Sequence, residues 1–145
     1  MASYIFTKFK NDLAQGSYNL TGASYTLALT NAPCAFNPPV NIVEAFQYPW
    51  SFLSGTWDIS NTAGYNSTGY SPQTLVTSLT PNYTTNLVNW SANTVTWNNA
   101  TIDADGYVIY NAANGNMVCA VDFGMKISSN NAPYIISFPN GIMNL

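Results

Sequence analysis

Acid–base, nucleophilic or metal chemistry would rest mainly on six carboxylates, three lysines and two cysteines: Asp12, Glu44, Asp58, Asp103, Asp105, Asp122, Lys8, Lys10, Lys126, Cys34 and Cys119. No histidine and no arginine occurs in the 145 residues. Without histidine, neither a Ser-His-Asp triad nor a Cys-His pair can be assembled, and the commonest zinc ligand is missing. Without arginine there is no bidentate fork for a phosphate or carboxylate. The run Asp103-Ala104-Asp105-Gly106 resembles the start of a calcium loop, but Thr101 stands at the first ligand position and Ala112 at the twelfth. An Asp-Gly turn between two strands accounts for the same residues. Glycosidase chemistry needs two carboxylates facing each other across a cleft, and six acids in mostly turn-like contexts do not single out a pair. The expectation is a chain without catalytic residues, cofactor or metal.

The charge inventory is 6% of the sequence, with net charge −3, and a soluble domain usually carries about a quarter charged residues. The deficit is filled by 20 Asn, 15 Thr and 13 Ser, so amides and hydroxyls must solvate the surface. Three lysines against six acids cannot supply the phosphate contacts that dominate nucleic-acid affinity. Apolar runs such as Met117-Val118-Cys119-Ala120-Val121 fall far short of the roughly 20 residues that span a bilayer. The first residues carry no seven-residue apolar stretch with a small-residue cleavage site, so a signal peptide is not expected. The reading is therefore no nucleic acid and no membrane. Cys119 lies in an apolar run and reads as a small buried hydrophobe; a Cys34–Cys119 disulfide is the alternative. Five Asn-x-Ser/Thr sequons, at Asn19, Asn66, Asn82, Asn89 and Asn99, are what chance gives in so Asn-rich a chain.

The 21 aromatic residues beside abundant asparagine allow stacking on sugar rings, as in lectins and phage adhesins. Trp90, Trp97, Tyr107 and Tyr110 nevertheless fall at strand positions, where aromatic pairs hold sheets and cores together.

The elements that carry these residues are mostly strands. Ile5, Phe6, Phe9 and Leu13 fall at near three-and-four spacing, which predicts one helix over 3–15, with Ser3 as N-cap and Gly16 at its end. After Gly16 the pattern is β. Ser24–Thr30 alternates as a half-buried strand, followed by strands at Thr74–Leu79, Thr85–Trp90, Thr94–Trp97, Tyr107–Tyr110, Met117–Phe123, Tyr134–Phe138 and Gly141–Leu145. Turns fall at Thr80-Pro81-Asn82, Ala92-Asn93, Asp105-Gly106, Asn114-Gly115, Ser128–Asn131 and Pro139-Asn140-Gly141. Tyr107–Tyr110 and Met117–Val121 lack clean alternation and read as central strands covered on both faces. The fold class is mainly β: one antiparallel β-sandwich or jelly-roll-like domain over 1–145 with one short N-terminal helix.

The segment 31–66 breaks the rhythm, with Pro33, Pro38, Pro39 and Pro49 among many aromatics. It reads either as a folded-over connection capping the sandwich or as an arm that meets a partner. Phe36, Phe46, Tyr48, Trp50 and Phe52 are its candidate contact residues.

Val95-Thr96-Trp97-Asn98-Asn99-Ala100-Thr101-Ile102, Tyr107-Val108-Ile109-Tyr110, Val121-Asp122-Phe123-Gly124 and Asn140-Gly141-Ile142-Met143-Asn144-Leu145 occur in that order. With Phe9–Leu13 and Ser67-Thr68-Gly69-Tyr70, this progression resembles a family of small tailed-bacteriophage virion structural proteins. The chain departs from that pattern in carrying Asp103-Ala104-Asp105 where arginine is frequent, in its long proline-rich segment and in its lower charge. The resemblance implies a non-enzymatic decoration or cement protein on the capsid surface, made in the host cytoplasm. Its partners would be the major capsid protein, other virion proteins and copies of itself. A near-neutral skin agrees with contact by fit rather than by ion pairs, and would equally suit the alternative, a glycan- or receptor-binding module of a head or tail fibre.

Overall fold

The computed structural model describes residues 2–17, 19–22, 24–30 and 72–145. The proline-rich segment, its five candidate aromatics, Cys34 and the Ser67–Tyr70 turn lie outside the described residues.

The chain is mainly β with antiparallel pairing and one short helix. Strand β1 (Ala2–Ile5) precedes helix α1 (Thr7–Ala14) and strand β2 (Tyr25–Thr30). Then come β3 (Gln73–Thr74), β4 (Thr77–Asn82), β5 (Leu87–Ala92), β6 (Val95–Ala100) and β7 (Asp103–Asn111). Strands β8 (Met117–Ser128), β9 (Ala132–Ile136) and β10 (Met143–Asn144) complete the order. A five-stranded sheet runs β1-β8-β7-β2-β3, a three-stranded sheet β10-β5-β4, and β6 pairs with β9. Residues of all three sheets share one core: Tyr25, Leu27 and Ile109 from the first, Trp90 and Met143 from the second, Trp97 and Ile136 from the third. Phe9 of α1 joins them, stacked on Trp90 at 6.2 Å, with Tyr25 edge-on to the same indole at 5.0 Å. Burying side chains of this size contributes about 1.5–3 kcal/mol each before the entropy of ordering is counted.

Several expectations require correction. Ser3 is not at the helix cap: it lies in β1 opposite Val121, and the helix starts after Phe6, whose extended backbone occupies the cap position without a side-chain bond. Gly16 does end the helix, in the left-handed region (φ 72°), with its N–H donating to the Leu13 carbonyl. Strand β2 is buried on both faces rather than one, every residue from Tyr25 to Thr30 being buried. Thr80-Pro81-Asn82 is not a turn. Pro81 pairs with Val88 on the edge strand β4, where a missing N–H is tolerated, and the chain reverses over residues 83–86 instead.

Asp105-Gly106 is likewise inside a strand, β7. Gly106 sits opposite Asp122, and a Cβ there would collide with the Val121 carbonyl oxygen, so glycine serves close backbone approach rather than reversal. On the far side of this contact, Ala104 pairs with Ile127. Only Asp105 therefore stands opposite Phe123, Gly124, Met125 and Lys126, which swell into a bulge of β8. Gly124 takes φ 73° there, and its N–H donates to Asp122 Oδ1 at 2.7 Å. Both strands expected to be central, β7 and the first part of β8, do lie in the interior of the five-stranded sheet.

Residues of Val95–Ile102, Tyr107–Tyr110, Val121–Gly124 and Asn140–Leu145 have structural duties. Trp97 meets Tyr134 edge-on at 6.1 Å, and Tyr107 packs between Phe123 at 5.9 Å and Phe138 at 6.2 Å. Asp122 anchors the bulge, and Gly141 makes the turn into β10 with φ 79°.

Candidate functional site

Two surface features stand out, one polar and one apolar; among the described residues the ionisable side chains at them are tyrosines alone, exposed Tyr83 beside the first and buried Tyr134 in the second. The polar feature is built on the outer face of the β10-β5-β4 sheet. Trp90 points into the core, so its neighbours in β5, Leu87 and Asn89, fall on the opposite face. Asn144 of β10 and Thr80 of β4 both pair with Asn89, and Asn82 pairs with Leu87. The strand pairing thus draws asparagines distant in sequence into neighbouring rows. Together with Asn140, Thr85 and Pro139 they line a groove of about 410 Å³.

The amides in this groove are held, not loose. Asn89 Nδ2 donates to the Asn140 carbonyl at 2.9 Å and to Asn144 Oδ1 at 3.0 Å. Asn82 Oδ1 accepts the backbone N–H groups of Thr84 and Thr85 at 3.1 and 3.2 Å, fixing the β4–β5 turn. Glycine suits position 141 beside them, where φ is 79° and a Cβ would press on the Asn89 amide. Each amide has two acceptor lone pairs and two donor hydrogens, so these bonds leave capacity over. Asn89 Oδ1, Asn144 Nδ2 and Asn82 Nδ2 have no partner among the described residues. Tyr83 projects from the turn beside Asn82 and is 91% exposed. Leu87 supplies an apolar wall, half in water.

The apolar feature lies where the end of β8 meets β9. A depression of about 120 Å³ is lined by Ile127, Pro133, Ile135 and Ile136, with Ser128, Ser129 and the ring of Tyr134. Ile135 is 57% exposed and Ile127 41%, while Met125, within the bulged stretch of β8, is 68% exposed. These three large apolar side chains come from two different sheets and fulfil no packing role in proportion to their size.

The buried ionisable groups are elsewhere. Cys119 is a buried free thiol whose pKa burial pushes up to about 12, against a hydrogen bond at the Ile109 backbone that lowers it. Tyr107 is raised well above the usual tyrosine range, by burial first and by neighbouring Cys119 second. Both stay protonated at neutral pH and are unsuited to nucleophilic work. Among the described residues no three His, Cys, Asp or Glu side chains group as a metal site would. Among them, no helix is long and apolar enough to cross a membrane.

The five aromatic residues expected at an interface, Phe36, Phe46, Tyr48, Trp50 and Phe52, fall outside the described residues. The groove was not anticipated. Asn82 and Asn89 stood out in the sequence only as sequon positions, and Asn140 and Asn144 only within the family-like C-terminal stretch. Their convergence depends on strand order and register, which periodicity does not encode. No protein-family model, curated protein or solved structure matches the chain.

Proposed function

We propose that this chain is a non-enzymatic structural protein of a tailed-bacteriophage virion, acting as a decoration protein that docks on the major capsid protein and on its own copies. The observation that carries the reading is the exposed pair Ile127 and Ile135 at a depression lined by no charged side chain among the described residues, with exposed Met125 two positions before Ile127 in β8. Each side chain left in water forgoes about 25 cal/mol for every Å² of apolar surface that a partner would cover. Clustered apolar side chains on an otherwise polar surface are the usual footprint of a protein–protein contact. The family-like progression from Val95 to Leu145 supplies the kind of assembly.

The test is attachment of purified protein to heads that lack it. Substituting Ile127 and Ile135 together by Asp is expected to abolish attachment while the monomer still unfolds cooperatively, because both side chains are already partly solvated. Attachment at wild-type occupancy by this variant would overturn the assignment of the contact. Partition of the protein with tails or fibres rather than heads would overturn the decoration role.

A further inference from the structure

We infer that the amide-lined groove on the β10-β5-β4 sheet is a binding site for a neutral oligosaccharide, with Tyr83 as its stacking platform. This goes beyond the docking role, uses a different surface and stands without it.

The size is right for a small ligand: about 410 Å³ lies within the ~300–1,000 Å³ typical of such sites. The chemistry is narrower still. Asn82, Asn89, Asn140 and Asn144 present donors and acceptors in mixed pairs, the complement of vicinal hydroxyls, which each donate and accept. Among the described residues no lysine, aspartate or glutamate lines the groove, so a phosphate, sulfate or carboxylate would meet no counter-charge from them. Neutral polyhydroxylated molecules have no such cost.

The hydrogen bonds from Asn89 to the Asn140 backbone carbonyl and to the Asn144 side chain fix the Asn89 and Asn144 amides before a ligand arrives, which reduces the ordering cost of binding. The second component is Tyr83. At 91% exposure its ring contributes nothing to the core, yet it projects from a turn that Asn82 pins through two backbone bonds. An aromatic face carries negative charge density and attracts the weakly positive C–H groups on the apolar face of a pyranose ring. Leu87 offers a second apolar surface inside the groove. Fixed amides for hydroxyls, an exposed ring for C–H groups and no charge together specify a neutral sugar.

The experiment uses the isolated full chain, isotope-labelled for NMR, titrated with maltopentaose, cellopentaose, laminaripentaose and triacetylchitotriose. At least one is expected to shift the side-chain amide signals of Asn89 and Asn144 saturably, with a Kd near the order of 1 mM, normal for a shallow site. Tyr83→Ala is expected to weaken that binding about tenfold, and Tyr83→Phe to retain it, because stacking needs the ring and not the hydroxyl. Asn144→Ala reports the amide contribution independently of the ring. Binding to polysaccharide-coated beads against glycoprotein-coated beads then separates a surface polymer from a protein-linked glycan as the source. Failure of all four sugars to shift the groove amides overturns the inference, as does binding that Tyr83→Ala leaves unchanged. Stronger binding of sulfated or sialylated versions would also overturn it. Since no virion is involved, any of these results leaves the head-attachment assay to stand or fall alone.

Discussion

Trp90 Nε1 donates to the backbone carbonyl of Leu20 at 2.9 Å, a buried bond between residues 70 apart in sequence. Thr77 Oγ1 donates to the same carbonyl at 2.6 Å, and Tyr25 reaches the adjacent Asn19 carbonyl at 3.2 Å. The link between α1 and β2, which belongs with the five-stranded sheet, is thereby tied to β4 and β5 of the three-stranded sheet. Asn19 shapes that link by accepting from the N–H groups of Thr21 and Gly22. One carbonyl therefore keeps two sheets in register over a common core.

Trp90→Phe keeps most of the ring packing on Phe9 and Tyr25 but removes the indole donor. It is expected to cost about 1–3 kcal/mol in urea unfolding, less if Thr77 alone satisfies the carbonyl. Trp90→Ala also opens a cavity and should cost about 3–5 kcal/mol. Equal losses from the two variants would show that the hydrogen bond, not the packing, dominates.

Gly106→Ala and Gly16→Ala separate two reasons for glycine. At Gly106 the added methyl would meet the Val121 carbonyl, and the β7–β8 pairing must shift, an overpacking cost of about 1–3 kcal/mol. At Gly16 there is open space but φ is 72°, so only backbone strain of about 1 kcal/mol is expected. Thermal unfolding of both variants checks the order; a larger loss at Gly16 would contradict it.

Alkaline pH should weaken the fold. Cys119 and Tyr107 keep their protons in the folded chain above their ordinary pKa values of 9.0 and 10.0. The unfolded chain releases them first, so stability is full below about pH 8.5 and declines as pH rises toward the folded values, by up to ~1.4 kcal/mol per pH unit for each group. Cys119→Ala is expected to flatten the decline that begins near pH 9.0, leaving the later Tyr107 contribution. A denaturation midpoint independent of pH between about 8 and 12 would contradict the burial of both groups.

Gly141→Ala should act on the groove as well as on stability. Its φ of 79° disfavours a side chain, and the new methyl would displace the Asn89 amide from Asn140 and Asn144. The expected signature is a moved Asn89 side-chain amide resonance with loss of about 1–3 kcal/mol. An unmoved resonance would mean the amide is not held as described.

Much of the fold was legible because the signals were local. Phe9, Leu13 and Gly16 marked the helix, although Ile5 at the head of the same stripe lies in β1, and Asn114-Gly115 marked the β7–β8 turn, where Gly115 adopts φ 74°. What failed depended on distant partners. Pro81 looked like a turn until its edge position made it acceptable, and Gly106 looked like one because Val121 lies fifteen positions away in sequence. Ser3 had the chemistry of a helix cap, but pairing with β8 took it into a strand. The groove needed three alignments at once, Asn144 with Asn89, Asn89 with Thr80 and Leu87 with Asn82, none of which periodicity supplies. The apolar depression needed the end of β8 and β9, which belong to different sheets, to come together so that Ile127 and Ile135 line one surface, and no turn motif announces that.

The docking role is tested most directly by the salt response of attachment to DNA-filled, tail-free heads. Raising ionic strength from about 0.1 to 1 M shortens the screening length from ~10 to ~3 Å and weakens contacts between exposed charges. For contacts made by Ile127, Ile135 and neutral amides, the expected result is unchanged occupancy on heads across that range. Release of the protein at high salt, or its absence from heads at any salt, would contradict a capsid-bound protein held by uncharged contact.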